Sequence, residues 1–178
     1  MKTRIILLLL LAFSMTSCNW FKDLFRTDIE TTLEVTVPVA VTEGLVIKST
    51  GGATDYSFSE SATLLLAEND DVLDHIDKIK SISIQSLEVD IFGLQAGQEI
   101  ISLTVSVSGV GTIVSLANIT SSSGTFVPDV ATNLLDQVAQ KLLDNESITV
   151  TVSGTTNYAP MTFNIVMAFE TLVEAGLL

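Results

Sequence analysis

Three kinds of residue in this chain could do chemistry: its single cysteine, Cys18, its single histidine, His75, and the acids between Glu68 and Asp77. A thiolate is a nucleophile and a metal ligand. A histidine serves as general base near neutral pH, and clustered carboxylates attract calcium, which takes several oxygen ligands. His75 lies in Asp70-Asp71-Val72-Leu73-Asp74-His75-Ile76-Asp77-Lys78. A serine hydrolase would need it beside an activated serine and an orienting acid, yet no serine stands in a Gly-x-Ser-x-Gly elbow. A histidine set between aspartates on a short helix reads as a solvated side chain. Asp70, Asp71 and Asp74 are the acids a metal ion would draw on. Their spacing lacks the Asp-x-Asp-x-Asp-Gly order and the glycine of an EF-hand. Acids in the first turn of a helix are favoured by its macrodipole, so they are read as a helix cap, with no metal and no other cofactor assigned.

Paired carboxylates would also suit a glycosidase, but such clefts carry aromatic platforms. Trp20 is the only tryptophan, Tyr56 and Tyr158 are the only tyrosines, and Phe58, Phe163 and Phe169 fall at core positions. This poverty argues against sugar hydrolysis and against dedicated glycan binding. Gly109-Val110-Gly111 is a hairpin turn and not a nucleotide loop, since no basic residue or helix follows it. No enzyme is expected.

Cys18 closes a patterned leader. Lys2 and Arg4 precede an apolar run from Ile5 to Phe13, then small residues, then the thiol. That run is too short to span a bilayer, which takes about 20 apolar residues, and it has the order of a signal peptide. Met15-Thr16-Ser17-Cys18 resembles the lipobox of bacterial lipoproteins. The resemblance covers residues 1–18. It implies cleavage before Cys18, acylation of that residue, and stable attachment to a membrane through several acyl chains. The short leader before a Thr/Ser/Val-rich domain is similar in composition to lipoproteins of Bacteroidota. Asn19-Trp20-Phe21-Lys22-Asp23 lacks the acidic cluster that sends some of those proteins to the cell surface. Nor is Asn19 the aspartate that retains many enterobacterial lipoproteins in the inner membrane. The resemblance therefore implies the periplasmic leaflet of the outer membrane. Asn118-Ile119-Thr120 and Asn145-Glu146-Ser147 match the N-glycosylation pattern, but a bacterial leader makes them chance matches.

Of 178 residues, 21 are acidic and 8 basic, a net charge of −13. Losing residues 1–17 removes two cations and no acid, giving −15. Nucleic acid is excluded as a partner, because phosphate binding requires a basic stripe. The same charge holds the domain off anionic lipid. Once Cys18 is acylated no thiol remains, so stability must come from packing.

After Cys18, the residues Trp20, Phe21, Leu24 and Phe25 recur at helical spacing. Two readings stay open: an amphipathic stretch at the headgroups, with Trp20, Phe21 and Phe25 membrane-proximal, or a tether whose aromatics dock on the domain. From Glu30 the period is two. Leu33, Val35, Val37, Val39 and Val41 make a half-buried strand, and Pro38 requires an edge position or bulge. Lys48–Asp55 reads as a loop, followed by a second extended region through Tyr56, Phe58, Leu64 and Leu66. Asn69 or Asp70 caps a helix with the stripe Val72, Leu73, Ile76 and Ile79. Ile82 and Ile84 then alternate, and Leu87, Val89 and Ile91 continue on the opposite parity, which predicts a bulge near Gln85-Ser86. Ile101, Leu103, Val105 and Val107 form a clean strand. Pro128-Asp129 opens a second helix, striped by Val130, Leu134, Leu135, Val138 and Leu142 and ending at Asp144-Asn145. Ile148, Val150 and Val152 make a strand, Gly154–Asn157 a turn, and Met161 to Phe169 the last strand.

Strands linked by turns, with two short helices inserted and no βαβα order, point to a mainly β protein: an antiparallel β-sandwich, Ig-like or related, of about seven strands. The expected organisation is a cleaved leader (1–17), a lipidated tether (18–29) and one sandwich domain (30–178). The functional expectation is a lipid-anchored, non-enzymatic accessory or scaffold subunit of an envelope protein complex. The alternative is a membrane-tethered binding module for a small apolar ligand or glycan.

Overall fold

Alternating side chains can bury only one face of a strand, and two such faces must meet. The structure, a computed structural model, describes residues 26–43 and 54–176 and the backbone of 46–48. It contains β1 (Arg26–Val41), β2 (Val46–Lys48), β3 (Thr54–Leu65), the one-turn helix α1 (Asp70–Leu73), β4 (Ile79–Phe92), β5 (Glu99–Val107), β6 (Gly111–Thr120), the helix α2 (Thr132–Asn145), β7 (Ser147–Thr156) and β8 (Met161–Gly176). One sheet has the order β1-β8-β4 and the other β2-β3-β7-β5-β6. Every neighbouring pair is antiparallel. The molecule is an antiparallel β-sandwich.

The core lies between the sheets. Val35, Val37 and Val39 of β1, Ile165, Met167 and Phe169 of β8 and Leu87 and Val89 of β4 are buried from one side. Leu64 of β3, Leu103 and Val105 of β5 and Val150 and Val152 of β7 are buried from the other. Phe58 meets Phe163 edge to face at 5.4 Å and 88° between ring planes, a favoured aromatic geometry. Pro38 sits in the edge strand β1 opposite Asn164, where a missing N–H costs no ladder bond to a further strand. The parity change in β4 is a register shift between Ile84 and Ser86, as the sequence pattern requires. α2 packs against β4 and β7 and buries Leu135, Val138, Ala139 and Leu142, where a buried Leu or Val contributes roughly 1.5–3 kcal/mol.

Several sequence expectations are corrected. The expected 48–55 loop is shorter at both ends: Lys48 closes β2, which pairs with β3, and β3 already begins at Thr54. β1 starts at Arg26, inside the stretch assigned to a tether, and Arg26–Ile29 pair with Val173–Gly176 of β8. The first helix does not run to Ile79. It leaves helical geometry at His75 (φ −120°, ψ 3°) and passes through a 3-10 turn, Ile76–Lys78. Leu73 is consequently off the stripe and 46% exposed. The second helix begins at Thr132, after Ala131 in extended geometry, and on the way to it Phe126 forms an isolated bridge with Val89. Gly154 is no turn residue. It lies in β7, where a Cβ would come within 2.0 Å of the Ser102 carbonyl oxygen, so the glycine is there for backbone approach. Ile101 falls at a register shift between Ile100 and Ser102, and Ile100 takes the buried place instead.

The two outer faces differ in chemistry. On the three-stranded sheet the outward positions include Asp28, Glu30 and Glu34 of β1, Glu170 and Glu174 of β8 and Glu88 and Asp90 of β4. Arg26 forms an ion pair with Glu174 at one end. On the five-stranded sheet the outward rows are hydroxyls. Ser59, Ser153, Thr104 and Ser115 align across four strands, and Ser61, Thr151, Ser106 and Thr112 form the next row. Ser61 and Thr151 hydrogen-bond at 2.8 Å. No charged side chain stands in these rows.

Candidate functional site

The end of the sandwich where β4 leaves its sheet and β8 enters it carries two adjoining cavities. They have volumes of about 710 Å³ and 440 Å³ and share Ala40, Gly93 and Thr162. The first is floored by the outward row Pro38, Asn164 and Phe92, which are cross-strand partners on β1, β8 and β4. Glu60 of β3 closes it from the other sheet. The second lies between the loop after β4, which supplies Gln95 and Gln98, and the β7–β8 turn, which supplies Tyr158 and Pro160. Phe92 is 57% and Tyr158 51% exposed, so two of the chain's few aromatic rings stand in solvent at this groove.

Local hydrogen bonds fix both walls. Asn157 donates from its amide to the Gly97 carbonyl (3.1 Å) and accepts from the Glu99 N–H (2.8 Å), so the β4–β5 loop is fastened to the β7–β8 turn. The Gln95 N–H donates to the Gln98 side-chain oxygen at 2.9 Å, closing the loop on itself. Thr156, buried, donates its hydroxyl to the Tyr158 carbonyl at 3.0 Å. The turn contains a cis Ala159–Pro160 bond. Gly93 adopts φ +99°, and a Cβ there would meet the Phe163 backbone at 3.4 Å. Glycine is what lets the chain turn away from β4 at that point.

The residues singled out in the sequence lie elsewhere. Cys18, Trp20, Phe21 and Phe25 fall outside the described residues. Asp70 and Asp71 open α1 and Asp74 closes it. Asn69 is the cap: its side-chain oxygen accepts from the N–H groups of Asp71 (3.1 Å) and Val72 (3.2 Å). Its amide donates to the Thr32 carbonyl at 3.1 Å. Thr31 donates its hydroxyl to Asp71 at 2.9 Å. Asp71 therefore ties α1 to β1. Among the described residues no group of three or more His, Cys, Asp or Glu side chains is placed to hold a metal ion. His75, half-buried, follows α1, and its N–H donates to the Val72 carbonyl at 2.9 Å. Among the described residues no helix is long and apolar enough to cross a membrane.

Sequence reasoning missed Phe92 and Tyr158. The signal for Phe92 was present: it continues Glu88 and Asp90 at spacing two, so it shares their outward face. Tyr158 gave no periodic signal, because it stands in a turn.

The fold defines a class, the antiparallel β-sandwich with a loop-walled groove at one end. The sequence matches no protein-family model and no curated protein.

Proposed function

We propose that this chain is a lipid-anchored, non-enzymatic lipoprotein of the cell envelope, an accessory or scaffold subunit of an envelope protein complex. Its place is the periplasmic leaflet of the outer membrane, with Cys18 as the acylated residue. The observation that carries the subunit reading is the margin of the five-stranded sheet. β6 stands at the end of the strand order, so ten residues of backbone edge lie beside rows of uncharged hydroxyls. An unpaired edge is a template for strand addition by a partner. On a chain of net charge −13, an uncharged face is where the like-charge repulsion of an acidic partner is weakest.

The test is a mild-detergent pulldown of the full-length protein from its native membrane, with Cys18→Ala and a β6 variant, Ser115→Lys with Ala117→Lys. Stoichiometric recovery of an envelope protein by the parent, lost in the β6 variant, supports the reading. Recovery of the folded parent alone overturns it. Membrane association that survives Cys18→Ala overturns the anchor.

A second reading, a membrane-tethered binding module for a small apolar ligand or glycan, draws on the groove. Its two exposed rings and side-chain amides are the furnishing such a module needs.

A further inference from the structure

We propose that the groove past Phe92 and Tyr158 binds a neutral saccharide, an assignment that rests on the binding-module reading. The two cavities open to solvent and meet at Gly93, forming a trough over the sheet end. A small apolar ligand lying there would stay largely in water, whereas tight apolar sites enclose most of their ligand. A sugar ring needs less enclosure. Its C–H face stacks on an aromatic ring, and Phe92 and Tyr158 offer exposed rings, one in each cavity. Its hydroxyls need donors and acceptors side by side. The amides of Asn164 and Gln95 carry both, and the Glu60 carboxylate accepts. Among the described residues, none lining either cavity is cationic. With a net charge of −13 on the chain, anionic ligands are repelled. Aromatic platform, amides and one carboxylate without a cation together select an uncharged polyol.

The test uses the full-length chain purified in mild detergent and titration calorimetry. The probes are maltohexaose, cellohexaose and xylohexaose, with oligogalacturonate as the anionic comparison and 1-decanol as the apolar one. At least one neutral hexasaccharide is expected to bind. Phe92→Ala and Tyr158→Ala are each expected to weaken it about tenfold, the loss of one stacked ring, at unchanged melting temperature. Both side chains are exposed, so the core is left intact. Absence of neutral-sugar binding overturns the assignment, as does a preference for oligogalacturonate or ring-deleted variants that bind like the parent. Uptake of 1-decanol alone overturns the saccharide while sustaining the binding module. Silence of every probe overturns both, and leaves the subunit reading to the pulldown.

Discussion

At the scale of single residues, Asn69 and Gly154 carry more of the structure than their size suggests. Asn69 satisfies two N–H groups at the start of α1 and donates to the Thr32 carbonyl of β1. Asn69→Ala removes these three bonds and the amide's bond to the Thr31 hydroxyl (3.1 Å), and a lost cap costs about 1–2 kcal/mol. The expected result is a lower urea midpoint at unchanged slope, and Asn69→Asp, which keeps the acceptor but not the donor, should fall between. At Gly154 the Ser102 carbonyl occupies the place of a Cβ. Gly154→Ala must push β5 from β7, and we expect a loss of about 3 kcal/mol or more, the upper range of overpacking. Equilibrium unfolding checks both. Asn69 was legible because a capping residue precedes an apolar stripe. Gly154 was misread because a glycine before Thr-Thr-Asn has the composition of a turn, and only the neighbouring strand shows its other use.

Among the elements, period two was decisive wherever a strand had one wet face. β1, β8 and the parity change of β4 were readable for that reason, the bulge included. β5 was readable in part: the register shift at Ile101 exchanges inward and outward positions over one residue, and no periodicity can announce it from a single apolar pair. α1 was misjudged in extent, since the apolar stripe of the sequence runs on through the 3-10 turn Ile76–Lys78 while the α-helix itself holds only one turn. The groove was hidden for a related reason. Part of its wall is turn and loop, where a side chain's direction follows from the hydrogen bonds of Asn157 and Thr156 and from no repeat. α2, by contrast, had a full stripe. Leu142 is completely buried between α2 and the sheets. Leu142→Ala should cost about 2–5 kcal/mol, measured as a fall in the urea midpoint. Substitution of the exposed Gln137 on the same helix should change little.

For the whole molecule the dominant electrostatic feature is crowding of carboxylates on one sheet. Glu34 and Glu88 flank Ala168 in a single row across β1, β8 and β4. Such like charges raise the free energy of the folded state, and salt screens them with a Debye length of about 10 Å at 0.1 M and 3 Å at 1 M. Sodium chloride is therefore expected to raise the melting temperature of the parent. A variant with Glu30, Glu34 and Glu88 replaced by glutamine should melt higher in low salt and respond less to added salt. An equal salt response in the two proteins would refute this account.

The separation of charge from hydroxyl also makes the slab a reporter of its own contacts. Any association made through the three-stranded sheet places carboxylates in the interface, so its strength must vary with ionic strength. Any association made through the hydroxyl rows of the five-stranded sheet brings no ion from those rows into the interface and should vary with it less. A salt titration of a complex thus tells which side of the molecule is in use before the complex has been seen.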